Sequence, residues 1–163
     1  MEKGRDFIQA QIDNAVALHR NFIDSLEAHA RAADDARLRA LCEAHIPVMS
    51  RHQGMLEEYR RSLGGGEGSI KKALGGVLET AREWIDAARG DDFLCLVQDI
   101  VMGRQLEDTF KTFREAGRAL GDPRLHELGE RGEAEHDRYV QEANRLVQEL
   151  FVEYARVPAP ARA

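Results

Sequence analysis

The chain has 163 residues, 43% of them apolar and 32% charged, with a net charge of -6 at neutral pH. That length suits one domain with a sizeable core. The acidic balance supplies no basic surface for nucleic acid or anionic membrane, and no apolar run is long enough to span a bilayer.

The first residues, MEKGRDF, lack the apolar stretch of a secretory leader, so the expected location is the cytoplasm. Inward-compatible residues then recur at Ile8, Ile12, Ala15, His19, Phe22 and Leu26. Their alternating steps of three and four trace the seam of an amphipathic helix, interrupted only by His19. Asp34 and Asp35 offer N-cap chemistry after a tight turn. The second helix follows with Leu38, Leu41, His45, Val48, His52, Met55 and Tyr59 on its inner seam. Pro47 lies inside it and predicts a kink near His45, because proline removes a backbone donor. The run Gly64-Gly65-Gly66-Glu67-Gly68-Ser69 breaks the pattern and lacks the Lys-Ser/Thr ending of a phosphate loop. A third amphipathic run, Ile70 to Gly90 with Trp84 as packing anchor, reads as a crossover helix.

Asp91 and Asp92 can cap the next helix, whose seam carries Phe93, Leu96, Ile100, Gly103, Glu107, Phe110, Phe113 and Leu120. Gly121-Asp122-Pro123 is a stop and a start together: a left-handed glycine, an N-cap and a first-turn proline. The last helix carries Leu125, Gly129, Glu133, His136, Val140, Ala143, Val147, Leu150 and Tyr154. Gly129 and Gly132 predict close helix approach. The tail from residue 156 has no periodicity and is expected to be mobile. Residues 1–155 therefore read as one all-α domain, a four-helix bundle of two antiparallel hairpins joined by the 64–90 crossover.

Glu133-Ala134-Glu135-His136 contains a glutamate and a histidine one helical turn apart, a metal-ligand spacing. The hairpins turn near Ala33 and Gly121, so matching positions differ by about 88, and that offset carries His19 onto Glu107 and His45 onto Glu133. All four then stand roughly 18 to 21 Å from their turns at about 1.5 Å per residue. Ionisable groups gathered at one level of an apolar core must pair or coordinate a metal. His19 and His45 bonded to Glu107 or Glu133 would indicate a metal-free polar cluster; inward histidines with free nitrogens would indicate a metal site.

This layout resembles the ferritin-like superfamily, in particular small bacterial stress-associated members. There each hairpin gives a glutamate from its first helix and Glu-x-x-His from its second, together holding two iron or manganese ions. The resemblance implies Glu107, Glu133 and His136 as ligands from the second hairpin. The first hairpin departs from the pattern: His19 takes the glutamate level, His45 or His52 replaces the helix-two ligands, Val48 stands where the second histidine is expected, and Met49 lies three before His52. Fewer carboxylates leave the charge of two adjacent cations unbalanced. An imidazole-rich set suits one ion of zinc, iron, nickel or copper instead, with iron or zinc expected here.

The expected function is therefore a cytoplasmic, dimeric metal-binding protein with an altered di-iron site, engaged in iron handling or oxidoreductase chemistry. The alternative is a metal-free bundle acting by oligomerisation or partner binding in a stress response. Other chemistry is sparsely represented. Cys42 and Cys95 read as buried reduced thiols, no Gly-x-Ser-x-Gly occurs, and the His-x-x-x-His spacing of hemerythrin-like sites is missing. His29 and His126, near the turns, read as surface histidines. Arg60-Arg61 and Glu57-Glu58 read as solvated helix faces.

Overall fold

A computed structural model describes residues 4–64 and 90–156. The crossover helix expected within 64–90, with Trp84, and the tail from 157 onward lie outside the described residues. Among the described residues four helices form: α1 (Arg5–Ala32), α2 (Ala36–Ser62), α3 (Asp92–Leu120) and α4 (Pro123–Arg156). No strand occurs among the described residues, and none of the described helices is long and apolar enough to cross a membrane.

The helix boundaries follow the cap chemistry. Asp35 accepts the Arg37 backbone N–H at 2.7 Å, and Asp91 accepts that of Leu94 at 3.0 Å. At the second turn, Gly121 adopts φ 68°, Asp122 accepts from the backbone of Arg124 and Leu125, and Pro123 opens α4. Each such cap satisfies donors that the first helical turn cannot pair internally. Asp92, expected to cap its own helix, reaches across instead. Its carboxylate accepts the backbone N–H of Asp34 and Asp35, tying the start of α3 to the turn between α1 and α2.

Two antiparallel hairpins result. Arg5 reaches the Leu63 carbonyl at 2.9 Å, which places the start of α1 beside the end of α2. Phe93 meets Phe151 and Tyr154, which does the same for α3 and α4. Between hairpins, α1 packs on α3 and α2 on α4. Tyr59 donates to Asp122 at one end of the bundle while Asp92 joins Asp34 and Asp35 at the other. Ser62 and Asp92 thus stand at opposite ends, as a long crossover connection requires. The seams converge on a core that includes Ile12, Phe22, Leu26, Leu38, Met49, Leu56, Leu96, Leu106, Phe110, Tyr139 and Leu150, all fully buried. Each such aliphatic or aromatic side chain contributes about 1.5–3 kcal/mol by leaving water.

Glycine sets the separation of α3 and α4. A Cβ on Gly129 would fall 2.2 Å from the Arg114 backbone nitrogen, and one on Gly117 would fall 2.3 Å from that of His126. Helix α2 continues through Pro47, whose exposed position turns the lost hydrogen bond toward water. Several expectations are corrected. Leu120 and Tyr154 lie at the bundle ends and are exposed, Met49 rather than Val48 fills the core, and Arg60 is buried against Asp13 at 3.9 Å while Arg61 stays in solvent.

Candidate metal centre

Halfway along the bundle, three of the four helices each direct one imidazole into the core. His19 from α1, His52 from α2 and His136 from α4 are 0%, 1% and 0% exposed. Their ring centroids lie 5.1 Å (His19 to His136), 5.8 Å (His19 to His52) and 6.1 Å (His52 to His136) apart. Helix α3 supplies Phe110, whose ring meets all three imidazoles at 4.7 to 5.8 Å. Gly132 makes room for this layer: a Cβ there would lie 2.4 Å from the Phe110 ring and 2.6 Å from His52 Nε2.

The hydrogen bonds fix how two of these rings are protonated. His136 Nδ1 lies 2.7 Å from the Gly132 carbonyl, which can only accept, so Nδ1 carries the proton. His19 Nδ1 lies 2.9 Å from Gln53 Oε1. The Gln53 amide nitrogen donates to Glu57 and to the Val16 carbonyl, which leaves its oxygen for His19. Glu57 is in turn held by Arg20 at 2.7 Å. His19 is therefore also an Nδ1 donor. Burial, then the charges of His136 and His52, hold His19 well below its ordinary pKa, and burial lowers His136 to about 4. Both rings are neutral at pH 7, with a lone pair on Nε2. The Nε2 atoms of His19, His52 and His136 are all buried without a hydrogen-bond partner. Three unpartnered nitrogens in one apolar layer are costly to leave unsatisfied, and they are the donor type that late divalent metals take. Among the described residues, however, no group of three or more His, Cys, Asp or Glu already has the spacing to hold an ion.

The other expected ligands stand elsewhere. Glu107 pairs with Arg104 at 2.7 Å, and Glu133 pairs with Arg114. Both carboxylates thus lie beside arginines on the partly exposed flank of the α3–α4 hairpin. His45 is buried farther along the bundle, 3.0 Å from Glu142, its ring against Tyr139. Neither His19 nor His45 is bonded to Glu107 or Glu133, the pairing that would mark a metal-free cluster. Of the two helix-two histidines, His52 joins the layer of His19 and His136.

A second buried polar cluster lies toward the turn between α1 and α2. Asp99, fully buried on α3, accepts Ser25 Oγ–H at 2.8 Å and faces His29 Nδ1 at 2.7 Å. The expectation of a surface His29 is corrected: α1 continues a turn beyond it and directs the ring onto α3. His126 is half-buried and donates to the Arg114 carbonyl. Burial and the charge of Asp99 raise the Tyr139 phenol well above its ordinary value. Burial and the same carboxylate push up the thiols of Cys42 and Cys95, the latter to about 11, so both are protonated. A cavity of about 110 Å³ opens beside His29 and Cys95. The seam read from the sequence carries Ile100; the fold buries Asp99, one residue before it, more deeply, and periodicity does not distinguish a buried aspartate from a surface one.

A family model described as "Domain of unknown function (DUF892)" matches residues 4–156. No curated protein and no solved structure matches the chain.

Proposed function

Since the chain belongs to the DUF892 family, we propose that it is a ferritin-like metal-binding protein whose centre is rich in imidazole and poor in carboxylate. One observation carries this reading: three buried histidines from three helices whose Nε2 atoms have no partner. In His19 and His136 the opposite nitrogen is already committed as a donor, the second-sphere arrangement that orients metal-ligating imidazoles. His19, His52 and His136 would hold one ion through their Nε2 atoms. Zinc and iron are the metals expected of such a set. The spacing of two closely bridged ions is not supported, because Glu107 and Glu133 pair with arginine.

If the ion is redox-active and keeps an open coordination position, it would supply dioxygen or peroxide chemistry. The chain's own contribution is orientation and dryness. Gln53 and the Gly132 carbonyl fix two rings, while Phe110 and the close approach at Gly132 exclude water. Iron handling, a stress role and a cytoplasmic homodimer complete this reading on the ferritin-like resemblance.

The second reading is a metal-free bundle that oligomerises or binds a partner. It is favoured by the lack, among the described residues, of a group already spaced for an ion. Elemental analysis decides between them, using untagged protein purified without added metal and a His136→Ala variant. About one ion per chain in the first and little in the second supports the centre. Equal, sub-stoichiometric metal in both would sink it.

A further inference from the structure

We propose that Glu135, and not Glu133 of the same tetrapeptide, is the carboxylate that serves the histidine centre, orienting His52 and offsetting the charge of a bound divalent cation. The inference rests on the metal-binding reading above. Both glutamates precede His136 on α4, but they leave the helix in different directions. Glu133 turns toward α3, where Arg114 takes it. Glu135 turns toward α2, where its Oε2 lies 3.2 Å from His52 Nδ1.

Among the described residues, Glu135 is the carboxylate in ion-pair contact with a member of the trio. Its side chain is partly exposed, yet Oε2 itself is buried and forms no hydrogen bond of good geometry. The contact is near closure without being closed.

Chemistry gives the contact two effects. A carboxylate at Nδ1 keeps the proton there and leaves the His52 lone pair on Nε2, matching the protonation of His19 and His136. Three neutral imidazoles would also leave a divalent ion with its whole charge in an apolar layer, and an anion in contact with one ligand ring lowers that cost. Glu135 is therefore a positioning residue that acts through His52 without touching the ion.

The test is zinc affinity, measured by competition with a chromophoric chelator on metal-stripped full-length protein. Wild type is compared with Glu135→Gln, Glu135→Ala, Glu133→Gln and His136→Ala, and urea midpoints confirm that each variant is folded. Glu135→Gln keeps an acceptor for Nδ1–H and loses the charge, so a weakening of about 10-fold is expected; Glu135→Ala loses both, and about 100-fold is expected. Nitrogen NMR of the metal-free protein should show His52 protonated on Nδ1 in wild type and Glu135→Gln, with that preference lost in Glu135→Ala. Glu133→Gln should bind as wild type does. Both Glu135 variants binding within about threefold of wild type, or Glu133→Gln proving the weaker binder, overturns the assignment. If wild type and His136→Ala both bind no zinc, the metal centre itself fails, and this inference with it. If His136→Ala loses zinc while the Glu135 variants keep it, only the role of Glu135 fails.

Discussion

The buried imidazoles of His19 and His136, held neutral by the fold, make stability depend on pH in a defined window. His136 has an ordinary pKa of 6.5 and is lowered to about 4 in the fold, chiefly by burial. Because the folded value lies below the unfolded one, the unfolded chain takes up a proton as pH falls through 6.5 while the folded chain refuses it until about 4. Stability is therefore complete above 6.5 and is lost on acidification between the two values. The full gap corresponds to about 3 kcal/mol, of which about 2 kcal/mol is gone at pH 5. His19 is shifted in the same direction and adds to the loss. Salt-bridged carboxylates act mainly at lower pH, so they do not obscure the window. Urea unfolding of chelator-treated protein at pH 7, 6 and 5 measures the effect. His136→Leu, which cannot titrate, provides the reference. Wild type should lose about 2 kcal/mol more than the variant between pH 7 and pH 5. Parallel curves, differing by less than about 0.5 kcal/mol across that range, would show that His136 is not held neutral in the fold.

Substitutions at three positions probe the rest of the packing. Asp99→Ala strands Ser25 Oγ–H and His29 Nδ1–H in the core and should cost about 3–5 kcal/mol in urea unfolding; Asp99→Asn, which keeps an acceptor, should cost less. Gly132→Ala forces a methyl group against Phe110 and His52 and should cost about 1–3 kcal/mol, with weaker zinc uptake as a second readout. Gly54→Ala is the control within the same experiment. A Cβ there meets nothing within 4 Å on exposed α2, so the substitution should stabilise by about 0.5–1 kcal/mol.

The sequence conveyed the bundle through features that act locally. Seam periodicity, the Asp35 and Asp91 caps and the Gly121-Asp122-Pro123 turn each specify a short stretch of backbone, and the helices form there. The histidine layer was partly legible because His19, His52 and His136 occupy seam positions of helices whose direction was fixed by short turns. The places where the reading diverges turn on angles finer than periodicity resolves. Glu107 and Glu133 sit at the edge of the inner stripe, and arginines on the same hairpin draw them outward. His45 lies on the seam at a different level from the trio. Asp99 and His29 were hidden for another reason: each buries a polar group that is acceptable only because the partner arrives from a different helix, a pairing separated by 70 positions in sequence. No local pattern announces such a pair.

At the level of the layer, four helices offer four inward positions, and they are filled by His19, His52, His136 and Phe110. The hydrocarbon on α3 determines what the other three can do. A carboxylate at that position would bridge two ions and balance their repulsion; a phenyl ring cannot, and the glutamate one turn before it on α3 pairs with Arg104. Under the metal-binding reading, charge compensation has to come from the side away from α3, which is the side of Glu135. The imidazoles would then hold a single ion from one face, with an aromatic wall opposite. Such a wall excludes water from that side of the imidazoles. Under that reading the ion would be either closed in, with a structural role, or open to a small, uncharged oxidant beside Phe110. Phe110→Ala separates these outcomes: opening the wall should speed zinc exchange and admit water in both cases, but only a reactive centre would change its rate of peroxide consumption when loaded with iron. Unchanged zinc exchange in a folded Phe110→Ala variant would show that the aromatic ring does not close the site.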